Sequence, residues 1–346
     1  MKTGLIPGLG FLVSLAGCGG PVAAFEAAAR DALKAARVSR PVHTYSILCR
    51  DPKTGEIGVA VQSHWFSVGS VVPWAEAGVG AVATQSMVDP TYGPLGLDLM
   101  RAGRSAPDAL KALLAGDAGR ALRQVAMIDA IGRVAAHTGA RCIQSAGHVV
   151  DADAQFSVQA NLMANDRIWP AMAAAYRSAK GDLADRMITA LEAAQAAGGD
   201  IRGRQSAAMI VVAAESTGKP WNDRRFDLRV EDHPQPVREL KRLVRLQRAY
   251  LHMNAGDLAM EKNDATAANR EYTAAGKLAP DIVEVPFWQA VTLAGSGHLD
   301  QALPIFKRVF ARERVWVELI PRLVDARLLP DDPEMVRKII DQAPPE

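Results

Sequence analysis

Aromatic residues are scarce in this chain of 346 residues, at 5% of the total. Alanine and glycine are plentiful instead, so closely packed helices are expected rather than broad aromatic platforms. Charge of one sign is also lacking. A formal net charge of +2 argues against a dedicated nucleic-acid binder. Only three cysteines occur, Cys18, Cys49 and Cys142. None is in a CxxC spacing, which excludes a zinc knuckle and a thioredoxin-type redox motif. HExxH and GxSxG are missing, and Trp65 stands where the first glycine of a GxSxG around Ser67 would be. Seven histidines are scattered without ligand spacing on any predicted helix, so neither a metal nor another cofactor is expected. Gly78-Val79-Gly80-Ala81-Val82-Ala83 spells GxGxxA but runs on into a strand-like stretch, so it reads as a chance match. No apolar run is long enough to span a bilayer.

What the chain does have is a hydrophobic fraction of 49%, enough for a sizeable core, and a length that predicts two domains. It opens on Met1-Lys2 and a short apolar run from Gly4 to Leu15, the pattern of an export signal. Leu15-Ala16-Gly17-Cys18 resembles a bacterial lipobox, which predicts lipid on Cys18; a plain secretory cut near Val22-Ala23-Ala24 is the other reading. Both send the protein out of the cytoplasm, to the periplasm or to a lipid anchor, with the membrane touched only through that anchor. An alanine-rich spacer runs to Pro41, so residues 1–43 are read as leader and spacer.

From residue 44 the pattern changes. "TYSILCRDPKTGEIGVAVQS" reads as strand, turn and strand, with Asp51, Pro52 and Gly55 at the turn. Alternation puts Thr44 and Ser46 on one face and Tyr45, Ile47 and Cys49 on the other. Two helices follow between Tyr92 and Gly116, then two strand pairs, a helical block from Trp169 to Ala197, and two closing strands. Strands and helices come in blocks rather than as βαβ units. An α+β fold of stacked antiparallel sheets with helices outside is predicted for residues 44–235. Pro234 and Pro236 mark the boundary, so a chain cut after Glu231 is expected to keep a folded first domain. In residues 236–346, Ala268 and Ala302, Tyr272 and Phe306, and Asn263 and Gly297 share one offset. Gly256, Ala268, Tyr272, Ala275 and Pro280 fit the pattern of a tetratricopeptide repeat, an all-α unit that buries its face by stacking. A protein partner on these repeats is expected. The bases Arg238, Lys241, Arg242, Arg245 and Arg248 recur at helical spacing. They serve either contact with an anionic surface or the solvated face of a connecting helix.

Thr44 is the residue of chemical interest. A threonine hydroxyl is a weak nucleophile unless a base takes its proton, and an α-amine of its own would do so. On spacing alone it is equally an ordinary strand threonine. The stretches "TYSILCRDPKTGEIGVAVQS", "VVPWAEAGVGAVATQ", "YGPLGLDLMRAG", "GRVAAHTG", "AAGGDIRGRQSAAMIVV" and "DLRVEDHPQPVRELKRL" resemble an uncharacterised bacterial family, domain of unknown function 1028. That resemblance implies the αββα four-layer sandwich of the N-terminal nucleophile hydrolases and places their nucleophile at Thr44. His43 precedes it and does not suit signal peptidase, so a free Thr44 requires self-cleavage or another protease. Chemistry adds Asn161 as an oxyanion donor, Ser63 across the hairpin, and Asp200, Arg202 and Arg204 on one loop. The last three either orient the amine and a substrate carboxylate or form an internal salt-bridge network. Gln85 and Gln159 are further pocket candidates. The expected function is an amidohydrolase acting on a small amide or peptide-like substrate; the alternative is a non-catalytic envelope scaffold.

Overall fold

A computed structural model of the protein describes residues 44–345. Cys18, the leader and the spacer lie outside the described residues, and so does His43. The described part falls within one compact unit.

Among the described residues, ten strands form two sheets. The first carries β1 (Thr44–Arg50), β2 (Ile57–Ser63), β7 (Gly147–Asp151), β8 (Phe156–Ala160), β9 (Ser206–Val212) and β10 (Arg224–Val230), in the order β10-β9-β2-β1-β8-β7. The second carries β3 (Pro73–Glu76), β4 (Gly80–Ser86), β5 (Arg123–Asp129) and β6 (Val134–Thr138), in that order. Every pairing is antiparallel. The first hairpin closes as its turn chemistry requires. The Asp51 carboxylate accepts from the Lys53 amide at 2.8 Å. Gly55 sits at φ +76°, a conformation open to a residue without Cβ.

Alternation then decides the layers. Tyr45, Ile47 and Cys49 join a core with Phe156, Val158 and Met209, roofed by Ile168 and Met172 of α3 (Ile168–Ser178) and Met187 and Leu191 of α4 (Leu183–Ala196). On the second sheet, Val82, Val125 and Met127 pack under Leu97 and Met100 of α1 (Tyr92–Arg101) and Leu110 of α2 (Ala106–Gly116). The opposite faces of the two sheets meet, β1 lying over β4 and β5. The order is thus helix, sheet, sheet, helix.

The helical block after Trp169 differs from expectation, because it is two helices. Gly181 turns the chain at φ +99°, and the Asp182 carboxylate accepts from the Asp185 amide at 3.0 Å, capping α4.

The helices after β10 are α5 (Pro236–Glu261), α6 (Ala265–Leu278), α7 (Glu284–Gly295), α8 (Leu299–Arg312), α9 (Leu319–Asp325) and α10 (Pro333–Ile340). The offset read from the sequence recurs in geometry. Asn263 and Gly297 both take left-handed φ, at 57° and 83°. After each, a backbone amide reaches back over the turn, Asp264 to the Ala259 carbonyl at 2.9 Å and His298 to the Leu293 carbonyl at 2.8 Å. Leu328 to Leu323 repeats that bond at 2.9 Å after α9. A Cβ on Gly256 would lie 2.7 Å from the Tyr272 ring, so glycine there permits the close crossing of α5 and α6.

Helix α5 belongs to both halves. Val237, Leu240 and Val244 enter the core of the first sheet. Ala249 and Met253 join the core with Ala268 and Tyr272. A cut after Glu231 therefore strips apolar cover from the sheet. Its basic face is largely neutralised: Lys241 reaches Glu192 at 2.9 Å and Arg248 reaches Asp182 at 2.7 Å, both tying α5 to the α4 region. Arg242 pairs with Glu239 at 2.6 Å along α5. No helix among the described residues is long and apolar enough to cross a membrane.

Candidate functional site

The inter-sheet layer becomes polar at the start of β1. Thr44 and Ser46 point into it, as their alternation with Tyr45 requires. Antiparallel pairing sets Thr44 opposite Ser63, and the Thr44 hydroxyl donates to the Ser63 hydroxyl at 3.1 Å. The Asn161 amide donates to the Thr44 carbonyl at 3.1 Å, carrying the end of β8 to the same place.

The second sheet supplies carboxamides. Gln85 Nε2 donates to the Thr44 carbonyl at 3.2 Å and to Gln124 Oε1 at 2.7 Å. Gln85 Oε1 accepts from the Ser46 hydroxyl at 2.7 Å. Asn161 Nδ2 donates to the same Gln124 Oε1 at 2.9 Å. Gln124 Nε2 turns the other way, to Thr138 Oγ1 and the Ala160 carbonyl, both at 2.9 Å. Gln159 Nε2 donates to Ser46 Oγ and the Ala83 carbonyl, both at 3.2 Å. Thr44, Ser46, Ser63, Gln85, Gln124 and Asn161 are all 0% exposed. In that dry setting each hydrogen bond is strengthened and each orphaned group is costly. Gln159 Oε1 is one such group, without a partner among the described residues.

Two non-glycine residues flank the cluster in left-handed backbone: Ser86 beside Gln85 at φ 70° and Leu162 beside Asn161 at φ 54°. Such conformations cost on the order of 1–3 kcal/mol and gather at functional sites.

The Asp200 loop abuts the end of β2. The Gln205 amide donates to the Ser63 carbonyl at 3.1 Å. The Asp200 carboxylate accepts from the His64 amide at 3.1 Å and from Arg202 Nη2 at 2.7 Å and Nε at 3.1 Å. Asp200 and Arg202 form an ion pair within this loop. Arg204 stands apart, exposed on a cleft of about 370 Å³ with Glu192 and Gln195. That cleft lies on the helix side of β1, where the Tyr45 hydroxyl donates to Gln195 Oε1 at 3.2 Å. Burial pushes the Tyr45 phenol up, opposed by the nearby Arg204 charge.

The structure thus brings Thr44, Ser63, Gln85, Gln159 and Asn161 into one network and sets Asp200 and Arg202 at its border. Gln124, the acceptor shared by two of them, is absent from the sequence reading. Its strand "RQVAMID" holds the one available signal, a glutamine on the same face as Ala126 and Ile128.

Neither cysteine among the described residues is poised for attack. Cys49 and Cys142 are both free thiols. Burial pushes Cys49 up to about 12 and also raises Cys142, so both stay protonated. No group of three or more metal-ligating side chains occurs among the described residues.

Comparison with known proteins adds a family. The profile of a family of unknown function, DUF1028, matches residues 44–240. A crystal structure of a Silicibacter pomeroyi protein of the same family is similar at 31% identity and a TM-score of 0.51, over 58% of this chain and 87% of that one. No curated protein matches.

Proposed function

The chain belongs to this family of unknown function, DUF1028, and from that premise we propose that it is an N-terminal nucleophile-type amidohydrolase acting on a small amide or peptide-like substrate. One observation carries the reading. The hydroxyl of the first residue of β1 lies 3.1 Å from Ser63 Oγ, in a dry cluster whose other members are neutral carboxamides and hydroxyls.

In this reading Thr44 Oγ attacks the amide carbonyl and its α-amine takes the hydroxyl proton. The tetrahedral oxyanion is held by Asn161. Collapse passes the proton to the leaving amine and leaves an ester on Thr44, which water hydrolyses to release the acid and restore the threonine. An acylated nitrogen is no base, because its lone pair is delocalised into the amide. The His43–Thr44 bond must therefore be broken in active protein, most simply by Thr44 attacking the His43 carbonyl. Ser63 keeps the hydroxyl oriented, and Gln85 and Gln159 border the substrate.

Intact-mass analysis tests this. Purified protein should contain a species starting at Thr44 and should hydrolyse members of an amide panel. Thr44→Ala should lose both properties with circular dichroism unchanged. Protein that never starts at Thr44 and never turns over overturns the reading.

Export as a Cys18-linked lipoprotein belongs to the same proposal, supported by Leu15-Ala16-Gly17-Cys18. Labelled palmitate should enter the wild type and not Cys18→Ser, whereas equal labelling sinks it. The tetratricopeptide reading of the tail is likewise proposed, supported by the matching left-handed turns at Asn263 and Gly297.

A further inference from the structure

Helices α5 and α7 and the chain beyond α9 border a groove of about 1020 Å³. Its chemistry is unlike that of the surrounding surface. Tyr250, Tyr272 and Trp288 line it, in a chain otherwise poor in aromatics. Its charged lining is four carboxylates, Asp257, Glu261, Glu284 and Asp331, against the single guanidinium of Arg327. The chain as a whole carries +2, so this negative field is local.

The rings hold two of the carboxylates in place. Glu284 accepts from the Tyr250 hydroxyl at 3.2 Å and from the Trp288 indole at 3.4 Å. Asp257 accepts from the Tyr272 hydroxyl. Burial and the adjacent carboxylate raise both phenols, which keeps them protonated as donors. Among the described residues, ion pairs in this half of the molecule include Arg270–Glu271 and Lys338–Glu334, away from the groove. Carboxylates fixed by aromatic side chains are a combination that attracts an organic cation, by charge and by the ring quadrupole together. Half-buried Met260 and Leu328, the latter 55% exposed, also line the groove, with Met253 buried beneath. Methionine adapts its shape to whatever apolar side chain it meets.

We infer that this groove docks an extended peptide segment of a partner protein, one carrying lysine or arginine between apolar side chains. A volume at the upper end of small-molecule pockets, spread over successive helices, fits several consecutive side chains better than one isolated amine. The cationic side chain sits between Glu284 and Asp257, and its apolar neighbours cover Met260 and Leu328. This inference stands apart from the hydrolase reading, because binding is measured without turnover.

The test uses the full chain and two fluorescein-labelled nonapeptides, one alternating leucine with lysine and the other leucine with glutamate. The lysine peptide should bind saturably by anisotropy, and salt should weaken it. Glu284→Gln combined with Asp257→Asn should weaken binding about tenfold or more, and Trp288→Leu should act in the same direction. Asn254→Lys, an exposed change on the groove wall, should abolish it with circular dichroism unchanged. Glu334→Gln, on α10, should leave it as in the wild type. Absence of saturable binding, equal binding of the glutamate peptide, or affinity unmoved by Asn254→Lys overturns the inference.

Discussion

Gln124 shows what a single buried carboxamide does here. Its oxygen receives Gln85 and Asn161, and its nitrogen serves Thr138 and the Ala160 carbonyl. Gln124→Leu keeps the volume but removes the acceptor shared by Gln85 and Asn161 and the donor to the Ala160 carbonyl. A buried polar group left unpaired costs about 1–3 kcal/mol, so chemical denaturation should show a loss of several kcal/mol; a loss under 1 kcal/mol would mean that the network relaxes around the gap. The same network reaches a histidine further out. Thr138 Oγ1 accepts from Gln124 and, where His148 Nδ1 is unprotonated, donates to it at 2.8 Å. That bond requires an unprotonated Nδ1. Burial first, and then the nearby His137 charge, hold the His148 pKa below the usual histidine range. Since the folded pKa lies under the unfolded one, the stability from neutral His148 is complete above about pH 6.5 and declines as pH falls through the folded value. Urea midpoints from pH 8 to 5 should fall in the wild type, and the fall should be smaller in His148→Gln. Identical slopes in the two proteins would dismiss His148 as their source. Thr44 and Ser63 were legible in the sequence because one hairpin register places both. Gln124 was not, because its contacts cross from one sheet to the other, and the stacking of two sheets leaves no spacing to read.

Among the elements, the strands were read most faithfully. Alternation and turn residues act within a few positions, so "TYSILCRDPKTGEIGVAVQS" carries its own instructions. The α3–α4 block misled for the complementary reason. Alanine-rich sequence favours helix on either side of Lys180-Gly181-Asp182, and periodicity alone runs through the break. The break is set by Gly181 at φ +99° and by Asp182, which both caps α4 and receives Arg248. Asp182→Ala removes the cap and the ion pair, and should cost about 1–2 kcal/mol, most of it from the cap. Asp182→Asn keeps a capping oxygen and should lose under about half of that. Thermal melts of the two variants distinguish them, and equal losses would assign the effect to Arg248 instead.

For the whole molecule, the prolines stand ahead of side chains that pack against the first sheet. Val237, Leu240 and Val244 lie past Pro236 yet belong to the core of the first sheet. Burial of such side chains contributes about 1.5–3 kcal/mol each, against a total stability of about 5–15 kcal/mol for a domain. A chain ending at Glu231 should therefore aggregate or melt without cooperativity, whereas one ending at Gln247 should unfold in a single sharp transition. Calorimetry of the two truncations decides, and a cooperative transition in the shorter chain would show that α5 is dispensable to the sandwich.

Helix α5 also acts as a shaft. Its two ends are bolted into different cores, so its winding sets the angle between whatever they carry. One residue inserted near Leu246 would advance the far end by about 1.5 Å and turn it by about 100°, swinging the groove away without touching a residue that lines it. Four inserted residues would add about one full turn and bring the groove back almost to its original bearing. Length changes in this helix therefore carry a phase: losing or gaining a whole turn is a small translation, whereas losing or gaining half a turn points the groove the opposite way.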